Sequence, residues 1–188
     1  MSAAVEVRRA NRDETLEAQR LAHDAYLARG LIQPQPDGLW RGYERLNDID
    51  ETTVLVAVMD GKVIGTASYT FDGEHGLPTD DDYFLETTCI RAVGLPLVGC
   101  WRFAVGAGSS LAIHARLMHR ICVDGVDAGE PVAVQEVHPR YVNYYRRRFG
   151  FRIAGMRDRT RGLTDAPSVL MVGGPGTYSR VVCEREGG

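Results

Sequence analysis

The stretch of residues 132–151 constrains the fold more than any other part of the chain. It opens with the β-branched run Val132–Val137, which predicts a buried strand. The run stops before Pro139, and proline suits the first position of a helix because its missing N–H would be unpaired there anyway. Gly150 can end that helix in the left-handed conformation, and the apolar residues 151–156 then form a second strand. The stretch therefore predicts a strand, a short helix and another strand within an α/β fold.

The rest of the chain predicts further strands and helices in a regular order. The clearest signal is Asp60-Gly61, which predicts a two-residue hairpin turn between strands at residues 53–59 and Lys62–Phe71. We also predict a strand at residues 5–7, a helix capped by Asn11 or Asp13, an irregular segment over residues 31–50 that covers a site, an acidic loop over residues 72–82, a strand at Leu97–Val105, a helix capped by Ser109 or Ser110, and a last strand at residues 168–172.

Length and composition exclude several classes of protein. A chain of 188 residues suits one domain, which we place at residues 1–172, followed by a loosely held tail at 173–188. The N-terminus is polar, and no apolar run approaches the roughly 18 residues that span a bilayer, so we expect a cytoplasmic protein without a membrane segment. The four cysteines lack metal-binding spacing, so no metal is expected. The net charge of −3 and the absence of a recognised nucleic-acid module disfavour nucleic acid as a partner.

The charge is distributed unevenly along the chain. Residues 1–100 carry 17 acidic and nine basic side chains, whereas residues 101–188 carry eight acidic and 13 basic ones. Such a basic half could attract a phosphate-bearing ligand or an acidic protein, or it could be the solvated face of an arginine-rich protein. The arginines concerned are Arg140, Arg146, Arg147, Arg148, Arg152, Arg157, Arg159 and Arg161.

A small glycine-containing turn joins the predicted strand Leu97–Val105 to the helix that follows. Free backbone N–H groups and the helix dipole at such a junction can bind an anion, and phosphate is an anion that such junctions commonly bind. An ordinary loop would look the same from sequence alone. The turn consists of Val105, Gly106, Ala107, Gly108, Ser109 and Ser110.

These features together resemble the GCN5-related N-acetyltransferase (GNAT) superfamily. Its members usually carry an Asn at the end of the fifth strand, where this chain has His138, and a Tyr shortly before a Gly-Phe pair, where it has Tyr145. The resemblance implies a GNAT fold, in which helices flank a mixed central sheet of about seven strands with a splay between strands 4 and 5.

Within that superfamily the chain is similar to the N-acyl amino acid synthases, relatives of the acyl-homoserine-lactone synthases. The resemblance implies transfer of a fatty acyl group from the phosphopantetheine thioester of an acyl carrier protein to the amino group of an amino acid. The coenzyme A pattern R/Q-x-x-G-x-G/A is not matched, because three residues rather than two separate Arg102 from Gly106. An acyl carrier protein, which presents a single phosphate, suits this departure. The similar segments are residues 25–34, 63–67, 76–80 and 101–105, together with residues 132–151.

The chain departs from this family at the position of an acidic residue. Gly99 stands where the family carries a Glu taken to serve the acceptor amine. An amine must lose a proton to attack a thioester, so another base is needed, or the enzyme must take up neutral amine. Glu86, Glu136 and His138 are the candidates. Glu136 would have a raised pKa if its strand face lined the cleft.

The resemblance also implies roles for other residues. Tyr145 would return a proton to the leaving thiolate, unless it is merely a packed aromatic residue. His138 would hydrogen-bond the pantetheine arm or cap the following helix. Arg102, next to Trp101 in the substrate site, would bind the acceptor carboxylate or pair with Glu86. The backbone of Phe103, Ala104 and Val105 would pair with the pantetheine amides and polarise the thioester carbonyl.

Two other functions remain compatible with the sequence. One is a small-molecule N-acetyltransferase that uses acetyl-coenzyme A. The other is a non-catalytic GNAT-like protein that only binds an acyl carrier or a ligand, which the loss of the family Glu at Gly99 would permit.

Overall fold

The computed structural model describes residues 4–108, 111–160, 166–174, 176–178 and 181–182. Seven strands within these residues form one sheet, in the order β1-β2-β3-β4-β5-β7-β6. The strands are β1 (Glu6–Arg9), β2 (Thr52–Met59), β3 (Lys62–Phe71), β4 (Leu97–Val105), β5 (Val132–Val137), β6 (Arg152–Arg157) and β7 (Ser168–Gly173). The helices are α1 (Arg12–Leu27), α2 (Asp80–Arg91), α3 (Leu111–Asp127) and α4 (Val142–Phe149), with short 3₁₀ turns at Glu44–Leu46 and Pro139–Tyr141.

β4 and β5 lie side by side but pair over only part of their length. Their parallel pairing runs from Leu97 opposite Val132 to Cys100 opposite Gln135, and beyond that pair the strands diverge. Arg102, whose φ is 52°, lies in a bulge of β4 against β3 just past this point. The predicted mixed sheet with a splay between its fourth and fifth strands is therefore confirmed.

Helices cover both faces of the sheet. Ala133 belongs to a hydrophobic cluster with residues of α3 and α4, whereas the next residue, Val134, belongs to a second cluster with Tyr83 of α2. Because successive side chains of a strand point to opposite faces, α3 and α4 cover one face and α2 covers the other.

The segment after β5 folds as its sequence predicts. The side chain of His138 caps the 3₁₀ turn that begins at Pro139, and α4 ends at Gly150 in the left-handed conformation with φ 71°. The hairpin turn at Asp60 and Gly61 also forms, with φ of 51° and 74°, as the two central positions of a type I′ turn require. Asn11 caps α1 through a reciprocal capping box with Glu14.

The sequence predicted a loop over residues 72–82, and this prediction is wrong for its last three residues. The acidic residues 80–82 form the first turn of α2. Their negative charges are favourable there because the N-terminal end of a helix carries partial positive charge. In the tail, Tyr178 and Val181 are buried in the same core cluster as α3, and the Tyr178 ring lies over Gly125. Within the described residues, no helix is long and apolar enough to cross a membrane.

Candidate active site

A cavity of about 420 Å³ opens where β4 and β5 diverge. This volume lies in the range of small-molecule sites, about 300–1,000 Å³. The cavity reaches both faces of the sheet, because its walls include residues of α1, of the irregular segment 31–50, of α2, α3 and α4, and of both strands. The irregular segment thus contributes to the site, as the sequence predicted. The ionisable residues in its lining are Tyr26, Arg29, Tyr43, Asp81, Asp82, Cys100, Arg102, His114, Glu136, His138, Arg140, Tyr141, Tyr144 and Tyr145.

Glu136 lies in the wall of this cleft, on the α2 face of β5. Burial raises the pKa of its carboxyl group to about 7, against a smaller opposing effect of a hydrogen bond from Ser168. Its Oε1 atom is buried and has no hydrogen-bond partner among the described residues. A carboxylate in this environment can accept a proton from a bound ligand near neutral pH.

Gly99 lacks room for a carboxylate. A Cβ atom added there would lie 2.6 Å from Cδ of Pro78, because the Leu77-Pro78 segment packs directly on β4. Gly99 is paired with Val134 on β5, and Glu136 follows two residues later on the same face. The cleft therefore has a carboxylate on the strand next to Gly99, two residues beyond the partner of Gly99.

This packing predicts the outcome of restoring the family residue. Gly99→Glu should destabilise the protein by about 1–3 kcal/mol through overpacking against Pro78, which corresponds to a fall in Tm of roughly 2–12 °C. Thermal denaturation measures the effect. Gly174→Glu is the matched control, since nothing lies within 4 Å of a Cβ atom at Gly174. Unchanged Tm together with faster turnover in Gly99→Glu would contradict this explanation.

Glu86 lies on α2, outside the lining of the cleft. Its two carboxylate oxygens accept hydrogen bonds of 2.7 and 2.9 Å from Nη2 of Arg157. A backbone hydrogen bond at Glu86 and this ion pair hold the pKa of its carboxyl group below the usual value. Glu86 is thus neither placed to act as a base nor paired with Arg102, and Arg157 takes the partner role that the sequence analysis gave to Arg102.

Arg102 is a buried cation in the wall of the cleft, with 2% of its surface exposed. Its Nη2 atom donates hydrogen bonds to the carbonyl oxygen of Arg41 (2.7 Å) and to Oδ1 of Asn47 (2.6 Å). Nε and Nη1 are buried without a partner among the described residues. Burial lowers the pKa of the guanidinium to about 10, so it stays charged near neutral pH. The guanidinium can therefore bind an anionic group of a ligand by donating hydrogen bonds to it.

Aromatic side chains form the cleft wall around Arg102. The guanidinium lies 4.2 Å from the ring centroid of Trp101, and the edge of that ring meets Tyr43. The indole N–H of Trp101 is not available to a ligand because it donates to Oγ1 of Thr70 at 3.0 Å. Tyr26 and Trp40 form a second edge-to-face pair in the same wall. The site thus offers a charged group within an apolar surface.

Tyr145 lies in the cleft on the opposite side of the sheet, where α4 packs on α3. Its hydroxyl is 3.0 Å from Nε2 of His114, and the hydroxyl of Tyr144 is 3.2 Å from Nδ1 of the same ring. Burial raises the pKa of the Tyr145 hydroxyl well above its ordinary value, so Tyr145 is a hydrogen-bond donor near neutral pH. Both tyrosines line the cleft, and their hydroxyl groups converge on the imidazole ring of His114.

The structure places His138 at the end of β5, in the cleft lining. Its Nδ1 atom accepts a hydrogen bond of 3.3 Å from the backbone N–H of Arg140. The capping role considered for His138 is thus observed. Nδ1 is not free to act as a base while it caps this turn, and in the neutral ring Nε2 then carries the hydrogen.

The turn after β4 was predicted to offer free N–H groups to an anion, but one of these N–H groups is already bonded within the protein. The N–H of Gly106 donates to the carbonyl oxygen of Ile64 at 2.9 Å, and so it is not available to a phosphate. The carbonyl oxygen of Phe103 accepts a hydrogen bond of 3.1 Å from Tyr26, whereas Ala104 and Val105 line the cleft. Ala107 and Gly108 are exposed, and the remaining two predicted residues, Ser109 and Ser110, lie outside the described residues.

Three of the predicted basic residues are exposed on α4, whereas Arg157 pairs with Glu86. Arg146, Arg147 and Arg148 are exposed in the last turn of α4, and Arg140 at the cleft stacks on the ring of Tyr141. Arg161 lies outside the described residues. The part of the chain that the structure describes contains no cluster of side chains suited to hold a metal ion.

Comparisons with known proteins identify a family and a fold. A family model described as N-acyl amino acid synthase FeeM matches residues 17–173. The fold is similar to FeeM, an N-acyl amino acid synthase from uncultured soil microbes, with a TM-score of 0.84, 18% identity and 98% coverage of each chain. It is also similar to the CoA-dependent acyl-homoserine lactone synthase BjaI, with a TM-score of 0.68, 18% identity and coverage of 99% of this chain and 90% of BjaI. An acyl-CoA N-acyltransferase from Pseudomonas aeruginosa matches with a TM-score of 0.61, 14% identity and coverage of 92% and 99%. No curated protein matches by sequence.

Proposed function

The chain belongs to the family of the N-acyl amino acid synthase FeeM, and we propose that it moves an acyl group from the phosphopantetheine thioester of an acyl carrier protein to the amino group of an amino acid. The observation that carries this proposal is a matched base and acid in one cleft. Glu136 lies on the α2 face of the sheet and Tyr145 on the α3 and α4 face. A ligand that passes through the splay would have one group on each side of its reacting carbonyl.

Glu136 is the proposed base because its pKa suits an amine. A carboxyl group with a pKa of about 7 lies close to a model α-amino group with a pKa of ~8, whereas an ordinary Glu at about 4.3 does not. Glu136 removes a proton from the ammonium group, and the neutral nitrogen then attacks the thioester carbonyl carbon. The general requirement that a base have a pKa near the working pH is thereby met.

Tyr145 is the proposed acid for the second half of the reaction. When the tetrahedral intermediate collapses, the C–S bond breaks and its electron pair goes to sulfur. The Tyr145 hydroxyl supplies a proton to that sulfur, while the C–N bond remains as an amide. The nitrogen of the intermediate gives its second proton to water, so that the amide is neutral. Solvent then reprotonates Tyr145 and takes the proton from Glu136. Overall the ammonium group loses two protons, one of which balances the proton on the thiol while the other is released.

Arg102 and the surrounding aromatic rings support an amino acid as the acceptor. The unused N–H groups of Arg102 can donate to a carboxylate, and charge-assisted hydrogen bonds of this kind are roughly twice as strong as neutral ones. The wall of Tyr26, Trp40 and Tyr43 can cover an apolar side chain. A simple amine without a carboxylate would leave the buried guanidinium unpaired.

The turn and the basic surface favour a carrier protein over coenzyme A as the donor. The N–H of Gly106 is already bonded within the sheet, which weakens a pyrophosphate site there. Exposed arginines on α4 suit an acidic protein that presents one phosphate. A coenzyme A derivative in this fold has a precedent in BjaI, whose structure contains isopentyl-CoA. Coenzyme A is accordingly the alternative donor.

Removal of the α4 charges tests the choice of donor. We expect the triple change of Arg146, Arg147 and Arg148 to Ala to raise KM for an acyl carrier protein about 3- to 100-fold, since an exposed ion pair contributes about 0.2–1 kcal/mol. Steady-state kinetics at several salt concentrations measure the change, and the salt dependence should weaken. A triple change of the exposed Arg9, Arg12 and Arg20 to Ala is the control for lost charge. Equal turnover of acyl-CoA and acyl carrier protein by the parent would contradict the carrier as preferred donor.

A further inference from the structure

His114 holds the hydroxyl groups of two tyrosines at once. It lies on α3, and Tyr144 and Tyr145 lie on α4, so the contact joins two helices at the wall of the cleft. The hydroxyl of Tyr145 is 3.0 Å from Nε2, and that of Tyr144 is 3.2 Å from Nδ1. The Phe103 ring packs against the imidazole with centroids 5.1 Å apart. Both ring nitrogens are therefore engaged by hydroxyl groups.

Counting protons on this ring links its tautomer to Tyr145. Burial lowers the pKa of His114 to about 4, so near neutral pH the ring carries a single N–H. If that hydrogen is on Nε2, the Tyr145 oxygen accepts it, and the Tyr145 proton is free to point into the cleft. If it is on Nδ1, the Tyr145 hydroxyl must donate to Nε2 and its proton is directed away from a substrate.

We propose that His114 is a positioning residue for acyl transfer: its Nε2–H holds the Tyr145 oxygen so that the hydroxyl proton faces the leaving sulfur, while Tyr144 selects this tautomer by donating to Nδ1. The inference rests on the proposed role of Tyr145. As the C–S bond breaks, sulfur takes the electron pair and the Tyr145 proton, and the His114 N–H stabilises the negative charge on the Tyr145 oxygen until solvent reprotonates it.

Two substitutions of similar size separate this role from simple packing. In His114→Gln, the amide nitrogen can occupy the place of Nε2 and still donate to Tyr145, whereas His114→Leu fills the space without a donor. We expect His114→Leu to lower kcat roughly 10- to 100-fold, less than the roughly 100- to 10,000-fold of acid catalysis because the Tyr145 hydroxyl itself remains, and His114→Gln to retain most of the activity. KM for the acceptor should stay constant in both, and Tm should confirm that both variants are folded.

The leaving group provides the readout that packing alone would not move. An aryl thioester expels a thiolate that needs no proton, so His114→Leu should lose little activity with it, although the loss is large with an alkyl pantetheine thioester. In the Tyr145→Phe background, His114→Leu should add almost no further loss. An equal loss with aryl and alkyl thioesters, or a fully additive loss, would overturn the proposal.

A spectroscopic test is independent of turnover and so distinguishes this inference from a failure of the proposed function. Protein labelled with ¹⁵N-histidine reports the tautomer of each ring by NMR, and the His114→Leu variant identifies the signals of His114. The proposal predicts a neutral ring protonated on Nε2, and loss of this preference in Tyr144→Phe. A neutral ring protonated on Nδ1 would overturn the proposal even in an active enzyme.

Discussion

Replacing Glu136 with Gln is expected to lower kcat/KM about 100-fold or more, the usual size of general-base catalysis. The amide has nearly the same shape but cannot take the proton of the ammonium group. In the parent protein the rate should rise with pH through about 7, where Glu136 ionises, and this ascending limb should be absent from the variant. A pH–rate profile of both proteins measures the effect.

The same substitution should stabilise the folded protein at alkaline pH. The pKa of Glu136 is about 7 in the folded state, above the ordinary value of 4.5, so the folded state binds a proton that the unfolded chain has lost between these pH values. The resulting cost to the parent protein is absent below the lower pKa and fully present above the higher one, at up to about 3 kcal/mol. Glu136→Gln should therefore raise Tm near pH ~8 and much less near pH ~5.

Glu86→Gln is the control for the loss of turnover, because it makes the same chemical change outside the cleft. Its stability should change in the opposite sense, since it breaks the ion pair with Arg157. Its turnover should remain near that of the parent protein. If Glu136→Gln kept full activity, Glu136 would not be the base, and the enzyme would depend on acceptor amine that is already neutral. A loss of the same size in both variants would indicate that charge or packing, rather than proton transfer, is responsible.

Arg102→Met is expected to raise KM for an amino acid acceptor roughly 30-fold or more, because losing one partner of a buried charge pair costs about 2–5 kcal/mol. The parent protein should prefer an amino acid to the corresponding amine without a carboxylate, and Arg102→Met should lose that preference. Steady-state kinetics with such a pair of acceptors measure the discrimination. Arg102→Met also leaves the carbonyl oxygen of Arg41 and Oδ1 of Asn47 without their donor, so a lower Tm is expected beside the change in KM.

The control for Arg102→Met is a substitution of Asn47, which contacts Arg102 from the irregular segment 31–50. Asn47→Ala removes the acceptor of one Nη2 hydrogen bond but leaves the charge in place, so its effect on KM should be smaller. If Arg102→Met retained the preference for a carboxylate, another cation would bind it. Arg29 also lines the cleft and would then be the next residue to replace.

The strands and the β5–α4–β6 segment could be predicted from sequence because their signals are local. Asp60 and Gly61 adopt the positive φ angles of a hairpin turn, and Pro139 and Gly150 mark the ends of the helical segment. α2 could not be recognised in this way. Among its residues only Tyr83 and Thr87 are buried, whereas large apolar side chains such as Phe84 are exposed, so the helix shows no clear apolar period.

The candidate site depended more on contacts between distant segments. Glu136 could be named as one of three candidate bases, but sequence alone left open whether its strand face lines the cleft. His114 was missed, since its two tyrosine partners lie 30 and 31 residues away and no local pattern connects them. Likewise, the contacts of Arg102 with Arg41 and Asn47 come from an irregular segment without periodicity. Sequence alone could not decide whether Arg102 binds the acceptor carboxylate or pairs with Glu86, because the partner of Glu86, Arg157, lies 71 residues away from it.

The central claim is that this chain joins a carrier-bound acyl group to an amino acid. The most direct measurement incubates the purified protein with acyl carrier proteins bearing short, medium or long acyl chains and a mixture of amino acids, followed by mass spectrometry. We predict an N-acyl amino acid together with an equivalent amount of free carrier thiol, and almost none of either with Glu136→Gln. Formation of an amide only from acyl-CoA, or only on amines that lack a carboxylate, would contradict the account, as would carrier binding without any amide product.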